Sequence, residues 1–280
     1  MINRASDLKI LSELWGQSIA RSGRVGAISG EPGIGKSRLI REFRSSLDKP
    51  TILSLQCSPF HVNTPLAPEI ERLRRVTGIQ EADDPTLSIA KLRSLLARAI
   101  MDVDHTLRYY GALLSIPAYP GYEPADLGSP SERERAFQVL TDALVAASCK
   151  KPILMIIEDV QWIDPTSIEL FVRIVARCAR ERVLILVTHR DDYPANWLSG
   201  PTVRHISLQK LAGAECEQMV AAVAGAGFVP RRVTSQIIER TDGVPLFIEE
   251  VTRAVMDSGA VSSAADGKVS KDELPAPRSR

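Results

Sequence analysis

Eight residues near the start of the sequence have the composition and spacing of a phosphate-binding loop. They read Gly30-Glu31-Pro32-Gly33-Ile34-Gly35-Lys36-Ser37, which matches G-x-x-x-x-G-K-[ST], a loop whose backbone N–H groups surround the phosphates of a nucleoside triphosphate. Glycine lets the backbone approach the phosphates, and the following helix dipole attracts them. Lys36 is suited to reach the β- and γ-phosphates, and the Ser37 hydroxyl to bind Mg²⁺. Nucleotide contacts are predicted from Gly30, Pro32, Gly33, Ile34, Gly35, Lys36, Ser37 and Arg38.

Two carboxylates follow an apolar run further along the chain. Ile153–Ile157 is wholly apolar and is typical of a buried parallel strand, and Glu158 and Asp159 come directly after it. A Mg–nucleotide site needs one acid for the metal and another that polarises the attacking water. Glu158 is predicted at the metal and Asp159 as the catalytic base, with a simply solvated strand end as the alternative.

A second apolar run, Val183–Val187, ends in Thr188-His189-Arg190. A hydroxyl and a cation there could sense the γ-phosphate or stabilise charge during phosphoryl transfer. Thr188 and Arg190 are therefore predicted at the nucleotide, and Arg190, with Lys36 and Asp159, in catalysis. His189 points to the opposite face and is given no role. Arg190 could instead be a surface residue.

Composition limits the classes of function. The chain has 280 residues, 44% hydrophobic, 25% charged, with a net charge of +1, so no global charge attracts nucleic acid or anionic lipid. No apolar run is longer than six residues, which is too short to span a membrane. The four cysteines and four histidines are scattered and lack metal-ligand spacing. We expect a reduced cytoplasmic protein without a signal peptide.

The pattern of hydrophobic residues predicts strands alternating with helices. Strands are expected at 24–29, 51–57, 153–157, 183–188 and 203–208. Helices are expected at 7–20, 37–47, 69–77, 85–100, 106–114, 131–149, 164–179, 212–224, 230–240 and 246–258. The helix at 131 is predicted to open with a capping box, Ser131 to Glu134, after an irregular segment at 116–130.

This alternation indicates an α/β fold with an open, mostly parallel sheet that binds ligands at the carboxyl ends of its strands. The predicted organisation is an α/β domain over residues 1–210, a helical subdomain over 211–258 and a flexible linker over 259–280. In the late segment Asp242–Glu250, Gly243 would end one helix and Pro245 begin the next, which explains these residues without a ligand.

Taken in order, these segments resemble the ATPase module of the STAND class within the AAA-like P-loop proteins. The bacterial version stands in large LuxR-type transcription regulators and behind the catalytic domain of adenylate/guanylate cyclases. The resemblance covers about residues 2–258. Its most specific parts are GEPGIGKSRL (30–39), QCSP (56–59), EDVQWIDPTS (158–167), THR (188–190) and DGVPLFIEE (242–250).

The resemblance implies an ATP/ADP-controlled switch that uses Mg²⁺, with a P-loop sheet of strand order 5-1-4-3-2. It implies that Thr188–Arg190 senses phosphate and that Gly243–Pro245, including Pro245, packs near the adenine. Three departures stand out: Asn3-Arg4 replaces the usual Gly-Arg, Glu158 replaces the usual Asp, and relatives continue into a winged helix and helical repeats.

Three hypotheses on function follow. The first is an ATP-binding, Mg²⁺-dependent ATPase acting as a regulatory switch, with partner domains or self-association. The second is an ATP- or ADP-binding module without turnover. The third, an origin-recognition-like DNA-binding ATPase, ranks below both because the charge is balanced. For an arginine finger, Arg173, Arg177 and Arg180 are candidates, against the alternative of a solvated helix face.

Overall fold

The structure is a computed structural model that describes residues 2–98, 102–225, 227 and 229–257. Within these residues there are five strands and ten α-helices. The strands are β1 (Arg24–Ser29), β2 (Thr51–Gln56), β3 (Ile153–Glu158), β4 (Val183–His189) and β5 (Val203–Ser207). The helices are α1 (Ala5–Ile19), α2 (Lys36–Ser45), α3 (Ala67–Thr77), α4 (Pro85–Leu96), α5 (Val103–Leu113), α6 (Pro130–Lys150), α7 (Pro165–Cys178), α8 (Gly213–Ala224), α9 (Arg231–Thr241) and α10 (Pro245–Asp257).

The strands form one parallel sheet in the order β2-β3-β4-β1-β5, which confirms the predicted fold class and strand order. Strand β3 pairs in register with β2 on one side and with β4 on the other, so that Ile153 lies beside both Thr51 and Val183. Every residue of β4, and all of β3 except Glu158, is buried. Continuous apolar runs are therefore the signature of the two strands that are covered on both faces.

The predicted start of α6 is wrong. The helix begins at Pro130, with Ser129 as its N-cap, and Ser131 lies inside the first turn, where its hydroxyl is 2.9 Å from that of Ser129. Proline at the first helical position fits the fixed φ of its ring and needs no N–H donor. This preference overrides the capping box that the Ser131–Glu134 spacing suggested.

Two short 3-10 helices, Pro59–His61 and Val160–Trp162, were not predicted. The first is capped by Ser58, whose hydroxyl accepts from the backbone N–H of Phe60. The second follows Asp159, which takes the left-handed conformation with φ of 60°. The first 3-10 helix follows β2 and the second follows β3. Both therefore lie near the carboxyl ends of strands, the edge where ligands bind in such sheets.

The chain divides into two compact units. The sheet unit comprises residues 11–28 and 46–206, and its core packs β2, β3 and β4 against α3 to α7. The loop unit comprises residues 1–10, 29–45 and 207–280, of which the structure describes 2–10, 29–45, 207–225, 227 and 229–257. The predicted division at 210/211 stays a prediction, and the predicted linker 259–280 lies outside the described residues.

The loop unit has a core of its own, formed by α8, α9 and α10. Its buried members include Met219, Ile237, Ile248 and Val251. Gly243 joins α9 to α10 with φ of 72°, and a Cβ there would lie 2.5 Å from the carbonyl oxygen of Leu211. Only glycine fits this junction, because a side chain would meet backbone as well as adopt an unfavourable φ.

Candidate nucleotide site

The segment between β1 and α2 has the backbone that the phosphate-loop pattern requires. Gly33 and Gly35 take φ of 80° and 103°, which side chains with a Cβ adopt at a cost. A Cβ on Gly33 would also approach the Cβ of Leu246 to 3.0 Å, and one on Gly30 the Cγ2 of Ile34 to 2.8 Å. The glycines at these positions thus serve both backbone conformation and close packing.

The predicted phosphate ligands stand at the start of α2. Lys36 is the first helical residue and only 9% exposed, and its ammonium donates to the carbonyl oxygens of Gly30 at 2.6 Å and Glu31 at 3.0 Å. Ser37 follows in the first turn and is exposed. The ammonium is therefore held within the loop, next to the helix N-terminus that attracts anions.

A cavity of about 370 Å³ lies within the loop unit beside this segment. Four of the predicted nucleotide contacts line it, although they come from chain segments about 200 residues apart: Ile34, Gly35, Arg38 and Pro245. The volume falls in the range of cavities that bind small ligands, roughly 300–1,000 Å³.

Arg4 is another cationic lining residue, and it follows Asn3, which replaces the usual glycine of the family's Gly-Arg pair. It is 7% exposed, and its Nη2 donates to the carbonyl oxygen of Gln209 at 2.7 Å and to that of Ile34 at 3.4 Å. Its Nη1 lies 3.8 Å from the carboxylate of Asp7. Arg4 therefore ties the N-terminal segment to the phosphate loop and to the chain entering α8.

An ion-pair network joins the phosphate loop to the α9–α10 junction. The ammonium of Lys210 lies 2.9 Å from the carboxylate of Glu31 and 2.7 Å from that of Asp242. Hydrogen bonds to Asp242 and then to Glu31 raise the pKa of Lys210. Arg38 and Glu249 form a further pair at 3.7 Å. These contacts link the loop to both ends of the Asp242–Glu250 motif.

In the sheet unit, the two predicted acids end β3 in different conformations. Glu158 is the last strand residue and is half-buried. Asp159 turns into the left-handed region, and its carboxylate accepts from the side-chain amides of Gln56 at 2.8 Å and Gln161 at 3.3 Å. The amides hold the Asp159 carboxylate in one orientation.

Thr188 connects β4 to the turn at Asp159. It is 1% exposed, and its hydroxyl oxygen accepts from the backbone N–H of Asp159 at 3.0 Å. Arg190 follows the strand, and its guanidinium carbon lies 5.4 Å from the centre of the Trp162 ring, within the range of a cation–π contact. The structure thus brings Thr188, Arg190 and Asp159 together at the carboxyl ends of β3 and β4.

Four residues that make the contacts described above were not predicted as site residues. Three lie in the sheet unit, Gln56, Gln161 and Trp162, and one in the loop unit, Lys210. Their signal was present in part, because Gln56, Gln161 and Trp162 stand in the segments QCSP and EDVQWIDPTS. Spacing could not pair them, since the contact of Gln56 with Asp159 joins residues 103 positions apart. Lys210 lies in a connecting segment without any motif.

The predicted magnesium ligands supply hard oxygen donors, a hydroxyl at Ser37 and a carboxylate at Glu158. Mg²⁺ is usually held by one or two carboxylates, phosphate oxygens and water, so each of these two donors is of a type that fits the ion, and their joint role at one metal stays a prediction. Among the described residues, no three His, Cys, Asp or Glu side chains gather into a metal-binding group. No described helix is both long and apolar enough to cross a membrane.

Comparison with known proteins identifies the family of this chain. A family model described as an AAA ATPase domain matches residues 2–187. An uncharacterized protein of Rhizobium meliloti (strain 1021) is 31% identical over 271 residues, which is 91% of this chain and 25% of that protein. The chain therefore spans about a quarter of the length of this curated relative.

Solved structures share the fold at low sequence identity. Cdc6p from Pyrobaculum aerophilum is 14% identical with a TM-score of 0.52, over 92% of this chain and 63% of that one. A chain of the HORMA:CdnC:Trip13 complex of E. coli MS115-1 is 11% identical with a TM-score of 0.52, over 97% and 86%. A STAND protein with a tetratricopeptide repeat sensor from Pyrococcus horikoshii is 14% identical with a TM-score of 0.46, over 90% and 30%. On the family match to residues 2–187, this chain belongs to the AAA ATPase domain family.

Proposed function

We propose that this chain binds ATP with Mg²⁺, hydrolyses it, and acts as a nucleotide-controlled switch of the STAND class. The observation that carries the proposal is the segment between β1 and α2, where two glycines take positive φ and Lys36 begins the helix. Such a segment offers backbone N–H groups, a helix N-terminus and one ammonium to a polyphosphate. Membership of the AAA ATPase family, which implies nucleotide and Mg²⁺, supports it.

Each predicted site residue has a role in this proposal. The loop residues Gly30 to Arg38 would hold the phosphates. Pro245 and Arg4 line the cavity that we propose for the adenine ring. Ser37 and Glu158 would hold Mg²⁺, which neutralises phosphate charge when bound. Asp159 would accept the proton of the attacking water, in an orientation set by the amides of Gln56 and Gln161.

Thr188 and Arg190 are proposed as the phosphate sensor. The Thr188 oxygen accepts from Asp159, which leaves its own O–H to donate to a phosphate oxygen or to water. The Arg190 cation lies against Trp162 and forms no ion pair with a carboxylate of the described residues. Loss of the γ-phosphate would therefore change the partners of Thr188, and through it the turn at Asp159.

The switch itself is proposed to run through the loop unit. Glu31, in the phosphate loop, shares the Lys210 ammonium with Asp242, at the start of the segment that leads into α10. A phosphate group that moves Glu31 would alter this shared pair, and α10 begins only three residues after Asp242. Partner domains or self-association would read out that change, in a cytoplasmic setting.

The test is Mg²⁺-dependent phosphate release from ATP by the full chain. We expect turnover that EDTA abolishes and that Asp159→Asn reduces by about 10²-fold or more, a size within the range for loss of a general base. Asp48→Asn, which changes an exposed carboxylate outside the site, should retain wild-type turnover. Equal turnover in the Asp159 and Asp48 variants would contradict the proposed base.

A second function, nucleotide binding without turnover, is favoured by one observation. Both oxygens of the Asp159 carboxylate already accept from side-chain amides, so part of their accepting capacity is occupied before any water arrives. In that case phosphate release would equal the uncatalysed background while ATP and ADP still bind. A measurement of nucleotide binding alone therefore does not distinguish the two functions, whereas a measurement of phosphate release does.

A further inference from the structure

A large cavity lies in the sheet unit, apart from every residue predicted for the nucleotide. Its volume is about 570 Å³, and residues of α3, α4, α5, α6, α7 and of the strands β2 and β3 line it. This volume is typical of small-molecule sites, which run to roughly 300–1,000 Å³. Protein interiors otherwise contain few voids larger than a water molecule, so the cavity calls for an occupant.

The walls of the cavity are apolar. Met155 from β3, Leu144 from α6 and Phe171 from α7 are each less than 10% exposed. Helix α6 contributes one continuous side, with Leu140, Ala143 and Ala147 at helical spacing. Such walls suit the hydrocarbon part of a ligand, because burying apolar surface there removes it from water.

One ion pair is buried in the wall. Arg72 donates through Nε and Nη2 to the Glu69 carboxylate at 2.7 and 2.5 Å, and the two residues are 9% and 8% exposed. The two bonds to Glu69 do not use the remaining Arg72 nitrogen, Nη1. A guanidinium nitrogen carries N–H donors only, so Nη1 can donate to a ligand in the cavity.

The charges that line the cavity are unbalanced. Arg72, Arg98, Lys150 and Lys151 are cationic, and Glu69 is the one carboxylate among the lining residues. The two lysines and Arg98 are exposed, and Lys150 donates to the Arg98 carbonyl oxygen at 2.8 Å. These cations would attract an anionic ligand and repel a cationic one.

We infer that this cavity binds a small amphipathic anion, a molecule with an apolar chain and a carboxylate head group. The chain would lie against α6 and β3, and the carboxylate would accept from Arg72 Nη1 or lie near the lysines. None of these residues belongs to the proposed nucleotide site. The inference therefore stands or falls separately from the ATPase proposal.

The test is calorimetric titration of the full chain with octanoate, with 1-octanol as the uncharged probe of the same chain length. We expect saturable octanoate binding. Ala147→Phe fills the cavity and should weaken octanoate binding by more than about tenfold, from the cost of overpacking. The matched control is Ala146→Phe on the same helix, because Ala146 does not line this cavity.

A double variant tests whether octanoate binding depends on the negative charge of the ligand. Lys150→Gln together with Lys151→Gln should weaken octanoate by roughly two- to fivefold, as expected for exposed ion pairs, and leave 1-octanol unchanged. Arg180→Gln, an exposed cation outside the cavity, should leave both probes unchanged. If octanol binds as tightly as octanoate and the lysine variant alters neither, the anionic class is overturned.

Two further results would overturn the site itself. One is the absence of saturable octanoate binding to the wild-type chain. The other is equal binding by the Ala147 and Ala146 variants, after circular dichroism has shown both to be folded. If Ala147→Phe does not fold, Ala143→Val makes the smaller change at another lining position and is judged by the same criterion.

Discussion

The ammonium nitrogen of Lys36 lies 2.6 Å from the carbonyl oxygen of Gly30, six residues earlier in the same loop. This bond closes the loop on itself at the first residue of α2. The lysine is thereby held near the loop's N–H groups before any phosphate arrives, which lowers the cost of ordering a flexible side chain on binding. Pre-ordering of the loop depends equally on its glycines.

Replacement of Gly33 by alanine should destabilise the chain. Its φ of 80° is costly for a residue with a Cβ, and that Cβ would meet Leu246 at 3.0 Å. We expect a loss of about 1–2 kcal/mol in the free energy of unfolding, measured by urea titration. Gly16→Ala is the matched control: it lies in α1 with no atom within 4 Å of the new Cβ, and should stabilise by about 0.5–1 kcal/mol. If Gly33→Ala were more stable than Gly16→Ala, the assigned loop conformation would be contradicted.

Gln56 is expected to act as a positioning residue for Asp159. Gln56→Ala removes the amide that orients the Asp159 carboxylate. We expect kcat to fall by about fivefold, the size of one hydrogen bond, with ATP affinity unchanged. The comparison is Gln218→Ala, an exposed glutamine of α8. In the Asp159→Asn background, Gln56→Ala should lower kcat no further, because the two residues act as a unit. An equal further loss in that background would show that Gln56 does not act through Asp159.

The Lys210 network should be lost only at alkaline pH. The pKa of Lys210 is raised above its ordinary value of 10.5 by hydrogen bonds to Asp242 and Glu31. A raised pKa means that the stabilising effect is fully present below about 10.5 and disappears as the pH rises through the folded-state pKa. The melting temperatures of wild type and Lys210→Met should therefore differ by a constant amount between pH 7 and 9 and converge above that range. A difference that disappears below pH 9 would contradict this network.

The four cysteines should differ sharply in reactivity. Burial raises the pKa of the Cys57 and Cys178 thiols to about 12, and that of Cys216 is raised by burial too, whereas Cys149 is exposed. Thiolate is the reactive form, so iodoacetamide at neutral pH should modify Cys149 first. By mass spectrometry, the native wild type should carry one adduct and native Cys149→Ser none. After unfolding, the wild type should carry four adducts and Cys149→Ser three. An early adduct on Cys57 would contradict its buried environment.

How far the sequence predicts this molecule differs between its parts. The central strands could be predicted because Ile153–Ile157 and Val183–Val187 are continuously apolar, and burial on both faces of a sheet demands that composition. The conformation of the segment between β1 and α2 could be predicted because positive φ requires glycine at fixed positions, whereas phosphate binding by this segment stays a prediction. Asp164 and Pro165 similarly predicted the start of α7, where the Asp164 carboxylate accepts from the backbone N–H of Ser167.

Long-range contacts were out of reach of the same reasoning. Arg4 donates to the carbonyl oxygen of Gln209, 205 residues away, and no local pattern records that partner. The amide of Gln56 reaches Asp159 only because β2 and β3 are neighbours in register. The cavity lined by α6 likewise depends on how several helices pack, and each of these helices is an ordinary amphipathic segment by itself.

The central claim is tested most directly by the affinity of the full chain for Mg–ATP, compared between wild type and Lys36→Ala by calorimetric titration. Arg41→Ala, an exposed cation further along the same helix, is the control. The account predicts that Lys36→Ala weakens binding by about tenfold or more, as for the loss of a charge-assisted hydrogen bond, and that Arg41→Ala binds as wild type. Unchanged affinity in Lys36→Ala, or no ATP binding by the wild-type chain, would contradict it.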